Sequence, residues 1–275
     1  GASATLPAGS KCGFVGRNGT GKTTLFRLIT GEIAPESGDV TVPANLRIGQ
    51  VAQEAPGTDR SLLETVLEAD TERSSLLAAA ETETDPDAIA AIHTRLADIN
   101  AHSAEARAAS ILAGLGFDAE AQARPCASFS GGWRMRVALA SVLFTAPDLL
   151  LLDEPTNYLD LEGTLWLEDY VRRYPHTVII ISHDRAFLRR LTRATLWIDR
   201  GEVRRQEKGF EGFEEWREAT WAAEDEARHK LDRKIKAEGR WAVEGISARR
   251  KRNQGRVRAL AALRQGRSSQ IRRQG

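Results

Sequence analysis

Phe129–Asp160 reads FSGGWRMRVALASVLFTAPDLLLLDEPTNYLD, and its three parts in fixed order decide the fold. Ser130-Gly131-Gly132 opens a helix expected from Trp133 to about Phe144, and Pro147-Asp148 makes a turn. The apolar run Leu149–Leu152 then forms a strand that delivers Asp153 and Glu154 at its tip. A serine and two glycines leave backbone N–H groups bare at a helix N-terminus, where the dipole is positive and a phosphate can sit. An unbroken apolar run suits a central parallel strand covered on both faces. Carboxylates at the end of such a strand lie where open α/β sheets take their ligands.

Upstream, Lys11–Val15 reads as a short strand running into Gly16-Arg17-Asn18-Gly19-Thr20-Gly21-Lys22-Thr23, with a helix following from Thr24 to Ile29. This fits GxxxxGK[ST]. The glycines let the backbone curl until its N–H groups face the α/β-phosphates of a nucleotide. Lys22 reaches the β/γ-phosphates and the Thr23 hydroxyl binds Mg²⁺. Downstream, Leu161–Tyr174 is an amphipathic helix carrying Leu165, Trp166 and Tyr170. Thr177–Ile181 is a second buried strand ending in Ser182-His183-Asp184-Arg185. Ala194–Asp199, Arg200-Gly201 and Glu202–Gln206 read as a closing β-hairpin.

At these residues the chain resembles a known family. SGG-W, then LLLLDEPTN, then LD is similar to the signature helix, Walker B strand and D-loop of ATP-binding cassette (ABC) ATPases. The tryptophan after SGG, where transporters usually carry glutamine, resembles the ABC-F branch, soluble twin-cassette proteins that act on ribosomes. The resemblance implies an α/β P-loop NTPase fold, an ABC-type nucleotide-binding domain over 1–208 with a helical subdomain at about 58–145. A basic α-helical hairpin linker over 209–275 follows.

The same resemblance implies roles residue by residue. Gly16, Asn18, Gly19, Gly21, Lys22, Thr23 and Thr24 hold ATP. Gln53, in IGQVAQE with Gln50 competing, is similar to the Q-loop glutamine that touches Mg²⁺ and the attacking water. Thr23, Gln53 and Asp153 hold Mg²⁺, Glu154 activates water, and Lys22 and His183 contact the phosphates. Ser130, Gly131 and Gly132 serve the ATP of a facing cassette, so the resemblance implies a partner: a second copy of this chain or a C-terminal cassette after the linker. Tyr158 departs from the histidine common at the D-loop, which puts communication between two sites in doubt more than chemistry. No aromatic strand residue for stacking on adenine precedes the phosphate loop except Phe14, inside the strand that feeds it. Weakened ATP affinity is the expectation.

Composition bounds the rest. With 275 residues and 41% hydrophobic content, the chain can hold one α/β domain of roughly 200 residues plus an appendage. No apolar run approaches the roughly 20 residues that span a bilayer, and no secretory pattern opens the chain. Cys12 and Cys126, far apart and outside CxxC spacing, imply free thiols in a reducing cytosol. A cytoplasmic protein without membrane insertion is expected.

Net charge is +1, with 39 Lys/Arg against 38 Asp/Glu. From Arg228 onward there are 16 Lys/Arg and 3 Asp/Glu, or +13, leaving 23 against 35, or −12, for residues 1–227. An acidic body with a basic tail marks a polyanion-binding appendage. Leu231 and Ile235, then Val257, Leu260 and Leu263, predict two helices along a narrow seam. Between and within them stand Arg249, Arg250, Lys251, Arg252, Arg256 and Arg258. Arginine pairs with phosphate bidentately, and RNA helices are grasped by shape and backbone. A solvated charged face is the plainer alternative. The segment resembles the inter-cassette linker of Uup-type ABC-F proteins beside tRNA on the ribosome, whereas residues from about 45 to 187 look closer to the YheS-like subgroup.

Three regions remain. Gly31–Arg47 alternates turn residues with short β runs and looks like the small antiparallel part of a cassette. Thr58–Ala123 is helical and acidic: Ser61 and Glu64 form a capping box, Pro86 suits a first turn, and Ile89, Ile92, Leu96 and Ile99 share a face. His93 and His102 read as surface residues. Three functions compete: an ABC-F ATPase coupled to ribosome and tRNA, the ATP-binding subunit of a membrane transporter, and an RNA-binding scaffold holding ATP as a structural ligand.

Overall fold

The structure, a computed structural model, describes residues 4–17, 19–51, 54–244 and 250–268, with the side chains of 241–254, 266 and 268 outside the description. In chain order the regular elements are β1 (Lys11–Gly16), α1 (Lys22–Ile29), β2 (Ile48–Gln50), α2 (Leu62–Glu68), α3 (Thr71–Thr82) and α4 (Pro86–Asp98). Then come α5 (Ala104–Gly114), α6 (Ala119–Gln122), α7 (Gly131–Phe144), β3 (Leu149–Asp153), α8 (Leu161–Arg173) and β4 (Thr177–Ile181). The series ends with α9 (Arg185–Leu191), β5 (Ala194–Asp199), β6 (Glu202–Gln206), α10 (Phe213–Glu244) and α11 (Arg250–Ser268). The chain divides into two compact units, Gly1–Phe210 and Glu211–Gly275.

The apolar runs of the first unit assemble one six-stranded sheet in the order β2-β3-β4-β1-β5-β6. All neighbours are parallel except β5 and β6. Because side chains alternate along a strand, β3 and β4 send Leu149, Leu151, Ile179 and Ile181 to one face. There they join Cys12, Phe14, Ala194, Leu196 and Ile198, and α1 contributes Phe26. Leu150, Leu152, Val178 and Ile180 are buried toward the other face. A Cβ on Gly13 would lie 3.1 Å from Thr192 Cγ2 and 3.6 Å from Leu188 Cδ2, so α9 covers that second face. Burial on both faces explains why these strands read as continuous apolar runs. The β5–β6 hairpin turns through Arg200 (φ 51) and Gly201 (φ 79), the double positive φ of a tight turn whose twist suits its strands.

Beside the sheet, α2, α5 and α7 pack together and bury Leu62, Val66, Ala108, Leu112, Val137 and Ala140. The capping box at Ser61 is formed: Glu64 N donates to Ser61 Oγ at 3.2 Å and Ser61 N donates to Glu64 Oε2 at 2.8 Å. Helix α4 begins at Pro86, and Ile89, Ile92, Leu96 and Ile99 form its half-buried face. It packs on α3, with Arg95 Nε 2.6 Å from Glu72 Oε1. Neither α3 nor α4 has a fully buried residue, so this helix pair is an arm at the surface. His93 and His102 are exposed.

Two local expectations are corrected. Gly31–Arg47 forms turns, bends and irregular backbone, with no strand. Gly31, Pro35, Gly38 and Pro43 interrupt it too often for a ladder, and proline lacks the donor a ladder needs. On α8 the buried stripe is Gly163, Leu167, Glu168 and Val171, while Leu165 is exposed.

In the second unit α10 and α11 pack against each other. Leu260 is buried and Leu231, Ile235 and Leu263 are half-buried, as expected of the seam, but Val257 is exposed and lies off it. Glu238 receives Arg256 Nε at 2.6 Å and Nη2 at 3.0 Å, and Asp232 receives Arg267 Nε at 2.7 Å. Among the described residues no helix is long and apolar enough to cross a membrane.

Candidate functional site

The loop after β1 is shaped by what its neighbours allow. A Cβ on Gly16 would stand 2.3 Å from Ile198 Cγ2 and 2.8 Å from Thr20 Oγ1, so only glycine lets the strand end this close to β5. Gly19 (φ 77) and Gly21 (φ 94) then take left-handed conformations that turn the backbone back on itself. The turn leads directly into α1, whose first three residues are Lys22, Thr23 and Thr24.

Lys22 Nζ donates to Gly16 O at 2.8 Å and to Arg17 O at 3.0 Å. Burial pulls this ammonium below its ordinary value, against the opposing pull of Glu154 and Asp153. Thr23 Oγ1 donates to Asp153 Oδ2 at 3.0 Å. Strand β3 ends at Asp153, and Glu154 adopts φ 49, ψ 50. A left-handed glutamate is uncommon and is held only where its surroundings over-determine it. Here Glu154 N donates to Ile181 O at 2.8 Å, and Glu154 Oε2 accepts from His183 N at 3.0 Å. Glu154 Oε1 lies 3.5 Å from His183 Nε2, the carboxylate 20% exposed and the imidazole 68%. Asp184 holds this corner by capping α9, accepting from Ala186 N and Phe187 N.

The ends of β1, β3 and β4 therefore bring Lys22, Thr23, Asp153, Glu154 and His183 together. Among the described residues the Lys22 ammonium is hydrogen-bonded to two neutral carbonyls, acceptors that an anion can replace. Threonine and aspartate oxygens, side by side, are the sparse donor set that Mg²⁺ accepts when phosphate and water supply the remaining oxygens.

Ser130 stands at the N-cap of α7 with no side-chain cap bond, followed by Gly131 and Gly132. Their neighbours are different: a Cβ on Gly131 would meet Glu54 Oε2 at 2.7 Å, and one on Gly132 would lie 3.9 Å from Tyr158 Cδ1. Asn18, Gln53 and Arg249 lie outside the described residues. Arg250, Lys251 and Arg252 fall on α11 with side chains outside the description, and Arg256 and Arg258 are exposed on the same helix.

Sequence reasoning missed two basic residues on α7. Arg134 Nη2 is 3.0 Å from Glu54 Oε1, tying the loop after β2 to the start of α7. Arg136 donates to Tyr158 O at 2.5 Å, to Leu115 O at 3.2 Å and to Asp160 Oδ2 at 3.0 Å. Its one sequence signal was the spacing of three from Trp133, which places both on one helix face.

A family model described as "ABC transporter" matches residues 1–157. The chain is 43% identical over 232 residues to the Probable ATP-binding protein YheS of Haemophilus influenzae, covering 83% of this chain and 36% of that protein. It is 47% identical over 199 residues to ATP-binding cassette sub-family F member 3 of Rattus norvegicus, covering 68% of this chain and 27% of the relative. The chain thus spans about a third, or less, of the curated relatives it matches. In fold it is similar to the ATP-binding cassette MJ0796, solved as a dimer in a post-hydrolysis state with ADP and Pi. That likeness has a TM-score of 0.52 and 20% identity over 75% of this chain and 88% of that one. From the geometry of the phosphate loop and these likenesses together, the chain belongs to the ATP-binding cassette (ABC) family, on its ABC-F branch.

Proposed function

We propose that this chain binds Mg²⁺·ATP and hydrolyses it as one half of a two-cassette sandwich, and that its helical hairpin couples the cycle to tRNA or ribosomal RNA. The observation that carries the hydrolytic part is the Glu154 carboxylate, held in place by His183 N beside the Thr23–Asp153 pair.

In this reading Lys22 exchanges two neutral carbonyl acceptors for phosphate oxygens, a stronger charge-assisted bond. Gly16, Gly19, Gly21 and Thr24 line the loop around the phosphates, with Asn18 between them in sequence. Thr23, Asp153 and Gln53 are the residues that would hold Mg²⁺, which would neutralise charge on the phosphates. Glu154 accepts a proton from the attacking water while its backbone bond to His183 keeps the carboxylate aimed. His183, its imidazole largely exposed beside Glu154, contacts the terminal phosphate in this reading. General-base catalysis contributes roughly 10²–10⁴-fold, and preorganised donors account for much of the remainder.

Ser130, Gly131 and Gly132 head a 14-residue helix, so their N–H groups suit an anion presented from outside the chain. The dimeric state of MJ0796, an ATP-binding cassette of the same fold, supports a facing cassette as its source. The RNA part rests on the charge of residues 228–275 and on the exposed arginines of α11.

The test is phosphate release by the parent and by Glu154→Gln, each with nucleotide affinity measured in parallel. Retained affinity with turnover lowered at least about 100-fold supports the reading; equal turnover in both overturns it. Pelleting of Glu154→Gln with ribosomes in ATP tests the coupling. Binding to a membrane permease in place of ribosomes supports the transporter-subunit reading instead.

A further inference from the structure

Arg136, on α7, ties this signature helix to the D-loop at Tyr158 and Asp160 and to the turn after α5 at Leu115. Its guanidinium is almost enclosed, at 11% side-chain exposure. Nε donates to Tyr158 O, and Nη1 donates to both Leu115 O and Asp160 Oδ2. The plane lies over the Trp133 ring with Cζ 4.2 Å from its centroid. Gly116 makes room for it: this residue takes φ +94, and a Cβ there would stand 3.0 Å from Arg136 Nη1.

The surroundings are correspondingly stiff. Trp133 packs on Phe117 at 5.2 Å between ring centroids, and Phe129 packs on the same ring at 5.7 Å. The Ser130-Gly131-Gly132 turn is therefore bracketed by two aromatic residues seated on one phenylalanine. Asp160 is fixed independently as the N-cap of α8, accepting from Gly163 N at 2.8 Å. That bond first, and Arg136 second, hold its carboxyl below the ordinary carboxylate range.

We infer that Arg136 is a positioning residue that fixes the distance between the signature turn and the D-loop, so that both meet a facing cassette in register. The inference rests on the two-cassette reading above. Both segments are exposed, Ser130 and Gly132 on one side and Tyr158 on the other, and a facing surface that engages one must engage the other at the spacing Arg136 sets. Only a guanidinium can serve the two carbonyls, the carboxylate and the indole face together, because its donors are fixed in a planar fork. Lysine keeps the charge toward Asp160 and loses the fork.

The experiment compares the parent chain with Arg136→Lys, Asp160→Asn and the double variant, in steady-state ATP turnover, Mg²⁺·ATP affinity by fluorescence titration, and thermal melting. Asparagine retains the α8 cap while removing the charge that Arg136 meets. Positioning predicts kcat lowered about 10- to 100-fold in each single variant, the scale of a misplacement near 1 Å. Affinity for Mg²⁺·ATP stays within about twofold, since Arg136 is no part of the phosphate loop, and the double variant falls no further than the worse single one. An unchanged kcat beside an active parent overturns the inference alone. So does a kcat loss that parallels the loss of melting temperature and of nucleotide affinity. Absence of turnover in the parent overturns the hydrolytic reading, and this inference with it.

Discussion

Thr23 Oγ1 donates a hydrogen bond to Asp153 Oδ2 at 3.0 Å, joining residues 130 positions apart in the chain. One stands on the first turn of α1 and the other at the end of β3. The parallel sheet makes this contact, because β4 lies between β1 and β3 and brings the ends of all three to one edge. Replacing Thr23 by alanine or Asp153 by asparagine removes an oxygen or a charge from the proposed Mg²⁺ donor set. We expect Mg²⁺ to enhance ATP affinity in the parent and to lose at least about tenfold of that enhancement in either variant, about 1.4 kcal/mol. Titrations with and without Mg²⁺ check this; the metal-free affinity should barely change.

Gly114 closes α5 where Trp166 of α8 crosses it. A Cβ there would lie 2.0 Å from Trp166 Cε2 and 2.2 Å from its Nε1. Gly114→Ala forces the indole to move, and overpacking of this kind costs about 1–3 kcal/mol. The expected outcome is a melting temperature lower by several degrees, whereas alanine at exposed Gly255, which meets nothing within 4 Å, should not destabilise its helix.

Asp148 fastens β2 to β3 at the edge away from the phosphate loop. Arg47 N donates to its Oδ2 at 2.9 Å, and the guanidinium Nε does so at 3.4 Å. The backbone bond first, and the guanidinium after it, hold this carboxyl below its ordinary value of 3.8. A carboxylate depressed in the folded state adds stability above its unfolded pKa, and that stability is lost as pH falls through the lower folded value. Asp148→Asn should therefore melt earlier than the parent at pH 6, with the gap closing below about pH 4. Melting curves across that range are the check; a gap independent of pH would contradict the assignment.

On the hairpin, ion pairing ranks the arginines. Arg256 is engaged in a two-bond pair with Glu238, at 2.6 and 3.0 Å, while Arg258 stands exposed on the same helix. If RNA phosphates are the ligand, Arg258→Ala should weaken RNA binding more than Arg256→Ala does. Replacing Arg249, Arg250, Lys251 and Arg252 by alanine should flatten the salt dependence by roughly 0.7–0.9 per lost phosphate contact. Filter binding of structured RNA across a salt series measures both effects.

Much of this architecture was legible because its signals are local. Leu149–Leu152 is apolar at every position, which only a doubly covered strand explains, and it pairs on both edges. The capping box at Ser61 and Glu64 and the hairpin turning at Arg200-Gly201 formed where the residues indicated. Signals weaken where partners are distant. The buried stripe of α8 runs through Gly163, Leu167 and Val171 instead of Leu165, because periodicity reveals that a helix has a covered face and packing chooses which one. The short apolar runs of Gly31–Arg47 looked like strands, but a strand needs a neighbouring edge as well as propensity.

By itself the sequence determined that a glycine-rich turn precedes a helix, that two carboxylates end an apolar strand, and that basic charge gathers toward the last residues. Each depends on neighbours along the chain, through backbone sterics or the spacing of apolar side chains. Only the tertiary structure decided that Thr23 meets Asp153, that Glu154 turns left-handed to face His183, and that Arg136 bridges Tyr158, Asp160 and Leu115. Those contacts join segments separated by tens of residues, and their geometry is set by which strand ends share an edge and which helix crosses another.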